Sequence, residues 1–547
     1  MTFTVDDRRF LVWLCLAVAL ITSAPYVAGV LITPKSRTYT GIHSLTPGDV
    51  AIYYSFIEQG RQGKAATRNL YTGEPQDAAM FTPQWFILGQ FANLFHLSNV
   101  AIYQLARVVF GTLFLILTYA FITPLLPRPQ TRKLTMVVIA FATGFGALVP
   151  ITDMTAAVQN LAIPVDQWVP EAFPFLTLYH NPLFLMALCL LLGVLIAFER
   201  SLHEPRGQSA WVAAGLATIL AVIHPYDVVI LTAVIAALLF IHRLIYPKGT
   251  FIPFRLLVVR MVQVLVLPIT ALVAMRFLFF GQPALEAWVE QNITISPDLW
   301  WYLPAYLLPI IVAIFGVRHL RRVVHPRAVL VLAWAAVVPL LVYLPHFPYQ
   351  RRMLEGWFIP LTILGALGVE RGAAWLVRTV QRDTVRTAIV AAVASFAIVA
   401  LFVTSLNRIF VDTYYATFRT EPTSIPRGLA EAFTWLRDHT SGDPVILARP
   451  LDANLFPGWS GLRVYYGQGS QTFDFDRKIE LGRAFLDGQA NETARQFVSG
   501  SGITQAVVRR TDTTAVETLQ HLGSTAALVY QNDDALVYTF TNSTADN

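Results

Sequence analysis

The chain has 547 residues, 55% of them hydrophobic and 14% charged, with a formal net charge of +6. A mean hydropathy of +0.53, set against the roughly one quarter of charged residues in ordinary soluble domains, excludes a soluble globular chain and points to a polytopic α-helical membrane protein. The positive balance sits in short loops between apolar runs, a pattern that orients a chain in a membrane, so it does not indicate a nucleic-acid partner.

Residues 10–32 form the first apolar run, behind Asp6-Asp7-Arg8-Arg9. A hydrocarbon core needs about 20 residues to cross. The run also exceeds the roughly 7–15 apolar residues of a cleaved signal peptide, which predicts a retained anchor. Residues 33–83 are a polar loop, and 84–95 are an apolar patch too short to span, predicted as an interfacial or re-entrant helix. Further spans are predicted at 99–126, 134–151, 175–198, 210–223, 228–244, 261–280, 300–317, 328–344, 357–369 and 387–406, about eleven in all. The fourth of these ends at His224-Pro225, where proline breaks the helix.

Basic residues alternate with this pattern. Arg128, Arg132 and Lys133, then Arg243, Lys248, Arg255 and Arg260, then Arg318, Arg321, Arg322 and Arg327, then Arg371, Arg378, Arg382 and Arg386 mark cytoplasmic loops. The loops 152–174 and 281–299 hold acids and no Lys or Arg, which places them outside. With the N-terminus cytoplasmic and an odd number of spans, residues 407–547 are extracytoplasmic. That tail reads as a small α/β domain, with a helix over 425–439, strands near 444–448, 462–466, 503–508 and 526–530, and a helical stretch at 478–486. The domain division is therefore 1–406 and 407–547.

Candidate chemistry concentrates in the polar loop. Thr46-Pro47-Gly48-Asp49 opens a helix in which Thr46 caps, Pro47 takes the first position and Asp49 completes a variant capping box. Val50, Tyr53, Tyr54 and Ile57 give it one apolar stripe, suiting a helix on a membrane surface or against the bundle. Asp49 thus reads either as a helix-terminal charge or as an acid for catalysis, with Tyr53, Glu58 and Glu74 nearby in sequence as substrate contacts. Arg351 and Arg352, adjacent in a predicted outside loop, suit a bidentate grip on phosphate or an anchor at lipid headgroups. Arg107 lies within an apolar span, where an ionised side chain must face protein or water. His180, His224 and His346 sit at predicted outer helix ends as substrate contacts or polar caps. Asp153, Asp166 and Glu171 in the loop 152–174 offer a second carboxylate or a metal ligand, although their spacing matches no fixed metal motif, and Asp49, Asp153 and Asp166 leave a divalent metal open.

Several of these features together resemble the GT-C superfamily of membrane glycosyltransferases. They are the acid-bearing first outer loop from Gly48-Asp49 to Tyr71-Thr72-Gly73-Glu74, the patch Phe86-Ile87-Leu88-Gly89, the arginine of Gln104-Leu105-Ala106-Arg107, and the terminal domain. Arg351-Arg352 with Glu355-Gly356, Trp435-Leu436-Arg437 and Gly461-Leu462-Arg463-Val464-Tyr465-Tyr466-Gly467 resemble a group of bacterial polytopic proteins of that type. The resemblance implies a GT-C-like helical module and transfer of a hexosyl or pentosyl unit from a polyprenyl-phosphate donor to a glycan, lipid or protein acceptor. It also implies a place in the cell envelope, at the plasma (inner) membrane. It makes Asp49 the first-loop acid and Arg351, Arg352 and Arg107 the donor-phosphate residues. The familiar two-acid signature is reduced here to Asp49-Val50, which speaks against a metal role for that pair. A transporter or lipid flippase is the alternative, as is a non-catalytic envelope scaffold; the halves of the chain show none of the internal repetition common in transporters.

Overall fold

The computed structural model describes residues 3–245, 252–279, 281–320, 325–489 and 493–541. Lys248, Arg321 and Arg322 lie outside the described residues. The chain divides into two compact units, Met1–Ala24, Leu105–Met275 and Thr294–Val411 on the one hand, and Pro25–Gln104, Arg276–Ile293 and Asp412–Asn547 on the other. Loop 33–83 therefore belongs to the same unit as the C-terminal tail, an association that chain order conceals.

The regular structure of the first unit is helical among the described residues. Eight helices of the chain are long and apolar enough to cross a membrane, and Gln208–Ile223 and Pro326–Val342 are shorter apolar helices; the protein is a multi-pass membrane protein. The predicted break at His224-Pro225 is present, between Gln208–Ile223 and Tyr226–Ile245. The predicted span 175–198 is interrupted at Asn181, whose side chain accepts from Leu183 N at 2.9 Å and so caps Pro182–Ser201. The predicted span 134–151 differs more. Its helix, Pro129–Phe141, has 13 residues, about 20 Å at 1.5 Å per residue. The chain leaves the helix there because its amides find other acceptors: Thr143 N donates to Leu401 O at 2.7 Å and Gly146 N to Asp166 Oδ2 at 2.9 Å.

Small residues let two spans approach closely. A Cβ on Gly316 would collide with the Leu364 carbonyl, and one on Gly368 with that of Val312, so Leu303–Leu320 and Phe358–Thr379 pack backbone to backbone. Three arginines read as loop charges are instead buried: Arg132, Arg260 and Arg327 are 6%, 4% and 2% exposed. Each has found partners, Arg132 with Asp7 at 2.8 Å, Arg327 with Glu199 at 2.8 Å and Arg260 with Glu204 O at 2.8 Å. Burial of a guanidinium is tolerable only with such pairing.

The second unit is built on a five-stranded sheet in the order Arg463–Val464, Val445–Leu447, Gln505–Arg509, Ala535–Phe540, Ala526–Gln531. The first three strands are parallel and the last two join antiparallel. Helix Arg427–His439 buries Leu429, Phe433 and Leu436, the stripe its periodicity predicts. Strand Ala535–Phe540 and helix Pro450–Ser460 went unpredicted. The helix contains Pro457 and Gly458, a turn signature, yet Gly458 is needed for close approach, since a Cβ would lie 2.9 Å from that of Tyr54.

Loop 33–83 is woven into this unit. Arg37–Tyr39 pairs antiparallel with Ser424–Pro426, and Thr72 bridges Tyr466. Helix Pro47–Arg61 buries ten of its fifteen residues, so the expected surface helix with one apolar stripe is instead packed on most sides. The physical reason is its neighbour Pro83–Leu94: Gly89 presses on Ile57 O and Gly60 on Trp85 O, each too close for a Cβ. Helix Pro83–Leu94 is short, as predicted, and buries Trp85, Leu88 and Ala92 while Ile87, Phe91, Leu94 and Phe95 stay exposed. That apolar outer stripe has the form of an interfacial helix.

Candidate functional site

In the first unit, the helix break at Pro225 delivers His224 and, one turn on, Asp227. The turn Gln350–Leu354 ends at Glu355-Gly356, with Gly356 at φ +71° and seated against Trp334, where a Cβ would lie 2.6 Å from the ring. This puts Glu355 beside the helix break. His224 Nδ1 is 3.2 Å from Asp227 Oδ2 and 3.5 Å from Glu355 Oε2, with side-chain exposures of 3%, 0% and 0%. Both ring nitrogens and all four carboxylate oxygens lack a hydrogen-bond partner among the described residues.

Next to this cluster stand two guanidinium groups. Arg352 lies over the Tyr226 ring at 4.7 Å and reaches Glu171 Oε1 at 3.5 Å; the Tyr226 ring is itself 5.3 Å from that of His224. Arg351 lies over Trp168 at 4.5 Å, and its backbone amide donates to Thr294 O at 3.0 Å. Aromatic faces hold each cation by its ring quadrupole.

In the second unit, Asp49 is half-buried in the first turn of Pro47–Arg61. The expected capping box is absent: Thr46 takes a left-handed conformation, φ 41°, and its side chain makes no cap bond, while Asp49 N donates to Thr46 O at 3.1 Å. Tyr53 stacks on Trp85 at 4.9 Å and faces Tyr103 at 6.3 Å. Glu58, 3% exposed, is 3.2 Å from Arg61 Nε and accepts from Asn99 Nδ2 at 3.0 Å. With Tyr54, Arg437 and Trp459 these three line a polar cavity of about 580 Å³. Burial pushes the Tyr54 phenol well above its usual range, so it stays neutral. Glu74 is engaged by Lys478 and by the Thr72 hydroxyl.

The chain aligns over its whole length with oligosaccharyltransferase AglB from Archaeoglobus fulgidus, solved with an inhibitory peptide and a dolichol-phosphate, at 10% identity and TM-score 0.54, covering 75% of that chain. It aligns over 97% of its length with ArnT from Cupriavidus metallidurans bound to undecaprenyl phosphate, at 14% identity and TM-score 0.51, covering 98% of that chain. The chain shares the fold of these two proteins. Arabinofuranosyltransferase AftD from Mycobacteria shares it at 14% identity and TM-score 0.50, although this chain, 99% covered, spans only 40% of that protein. No protein-family model matches the sequence, and neither does any curated protein.

The residues singled out from the sequence fall into separate groups within this fold. His224 and Arg352 are brought together around Tyr226, with Arg351 adjacent in the chain. Arg107, 1% exposed, donates to Thr22 Oγ1 at 2.8 Å, Ser23 Oγ at 2.8 Å and Leu178 O at 2.7 Å, ties that hold three segments of the first unit together. His180 is buried at the end of Pro174–His180, and His346 is exposed. Asp153 is exposed and caps Met154–Gln159 by accepting from Ala156 N at 2.9 Å. Asp166 is buried and accepts from Gly146 N and from Thr404 Oγ1 at 2.7 Å. Burial raises its carboxyl pKa, against the pull of those bonds. Neither aspartate joins a three-ligand cluster among the described residues. The sequence reading does not single out Asp227 or Tyr226, and takes Glu355 only with Gly356 beside Arg351-Arg352. The only sequence signal was the i, i+3 spacing of His224 and Asp227 across a proline, too common to stand alone.

Proposed function

We propose that the protein transfers a sugar from a polyprenyl-phosphate carrier to an acceptor on the extracytoplasmic face of the plasma membrane. The observation that carries this reading is the GT-C-type fold extending over 97–100% of the chain in the AglB and ArnT alignments; those two proteins hold dolichol-phosphate and undecaprenyl phosphate. Asp49 accepts the proton of the acceptor hydroxyl as its oxygen attacks the anomeric carbon. The bond from that carbon to the carrier phosphate breaks, and the departing polyprenyl phosphate keeps the electron pair. Independently of Asp49, the forks of Arg351 and Arg352 suit phosphate oxygens and make these two residues the candidate grip on a carrier phosphate.

Sidedness follows from unit membership. Loop 33–83 and the tail share one unit, hence one side of the membrane, which requires an even number of crossings between Asn99 and Thr417. Eight long and two shorter apolar helices, less the first, leave nine. On this reading residues 129–148, the short helix and the turn after it, are the tenth crossing. The basic loops support a cytoplasmic N-terminus and an external tail.

The test is incubation of purified protein with polyprenyl-phosphate sugars while free lipid phosphate is measured. Donor-dependent release by the wild type that falls by about 10²-fold or more in Asp49→Asn supports the reading. Undiminished transfer by a folded Asp49→Asn protein removes Asp49 as the base, and absence of release with every sugar carrier removes the activity.

A further inference from the structure

We propose that His224, Asp227 and Glu355 form a binding site for a divalent transition-metal ion. One atom from each side chain lies within 4.8 Å of the other two. The distances from His224 Nδ1, 3.2 Å to Asp227 and 3.5 Å to Glu355, bracket the ~3.4 Å between ligands of a tetrahedral ion with bonds of about 2.0–2.2 Å. An imidazole with two carboxylates is a ligand set suited to zinc, manganese or iron; the hard ions magnesium and calcium prefer all-oxygen shells.

Charge accounting supports the ion. Two carboxylates that are 0% exposed share a pocket with one imidazole that is 3% exposed. With both carboxylates ionised the trio keeps a net negative charge even when the imidazole is protonated, whereas a divalent ion with neutral imidazole brings it to zero. The six polar atoms that lack hydrogen-bond partners among the described residues point the same way, since most buried polar atoms have at least one such partner. Phe184 and Tyr226 box the imidazole edge to face at 5.4 and 5.3 Å and hold its plane. Glu171 is kept for Arg352 and lies outside the trio.

Three protein ligands leave a fourth position open, the form that catalytic and substrate-binding ions take. The Arg352 guanidinium over Tyr226 stands beside the site and would share an oxyanion ligand with the ion. The inference concerns metal occupancy and does not depend on the sugar-transfer reading.

Full-length protein, purified in detergent without chelator from cells supplied with manganese, iron and zinc, is expected to carry about one equivalent of one of these metals by mass spectrometry. Glu355→Gln and His224→Ala should reduce this to below about a tenth, with Asp153→Asn unchanged. If those variants do not fold, the wild type decides the matter alone. Stripped with EDTA, it should take up cobalt(II) stoichiometrically, with the visible ligand-field bands of a four- or five-coordinate site, and its Tm should rise. Wild-type protein that carries no metal and takes up no cobalt overturns the proposal and leaves a proton-sharing cluster. A full equivalent retained by folded Glu355→Gln and His224→Ala proteins overturns it equally. Because the readout is bound metal, failure here is distinct from failure of sugar transfer.

Discussion

The Arg352 guanidinium reaches Glu171 Oε1 at 3.5 Å while lying 4.7 Å over the Tyr226 ring, so one side chain joins an acid from the loop before Pro174 to the first residue after a helix break. Arg352→Lys keeps the charge but loses the planar fork and the stacking. If the arginine holds the carrier phosphate, KM for the lipid donor should rise roughly tenfold or more while kcat changes less. Steady-state kinetics and a melting curve separate this from a strut, for which Tm falls and KM stays where it was.

Glu58 is expected to matter chiefly for folding. Its 3% exposed carboxylate serves both Arg61 and Asn99, so Glu58→Ala takes a partner from two half-buried side chains, at a cost of about 1–3 kcal/mol. Thermal unfolding in detergent measures the loss. Glu58→Gln retains shape and an acceptor; normal stability with much reduced transfer in that variant would instead make Glu58 a substrate contact in the 580 Å³ cavity.

Gly89→Val should be among the most damaging substitutions in the second unit. A Cβ at Gly89 would lie 2.5 Å from both Arg61 N and Ile57 O, backbone atoms that cannot move aside, and overpacking of this kind costs on the order of 1–3 kcal/mol or more. Gly215 in helix Gln208–Ile223 has open space around it, so Gly215→Ala should be neutral or stabilising by up to about 1 kcal/mol. Yield of monodisperse protein on size exclusion reads both.

Topology can be tested directly. If residues 129–148 complete a crossing, reporters fused at residues 153 and 541 should both be active outside the cytoplasm and one at 203 inside it. A cytoplasmic reporter at 541 together with an external one within loop 33–83 would contradict the proposed shared side of these two segments of one unit.

Most of the element pattern was legible in the chain. Hydropathy marks the spans, proline places the break after His224, and the stripe Leu429, Phe433, Leu436 marks the tail helix, all local signals that survive in one dimension. Where prediction failed, the competing term was a distant partner. Residues 142–148 leave the helix because Asp166 and the Leu401 carbonyl take their amides. Helix Pro450–Ser460 keeps its Pro-Gly pair because Tyr54 needs the space. Arg132, Arg260 and Arg327 read as loop charges because their acceptors lie elsewhere in sequence.

By itself, then, the sequence determined that this is a multi-pass helical membrane protein with a mixed terminal domain, since apolar length and periodicity are properties of contiguous residues. It also supplied the acid Asp49 and the pair Arg351-Arg352 as chemistry in search of a place. Only the tertiary structure decided that loop 33–83 belongs with the tail, and that His224, Asp227 and Glu355 meet. Their meeting depends on a proline break and a glycine turn separated by some 130 residues of chain, and no linear spacing encodes a contact closed by folding across that distance.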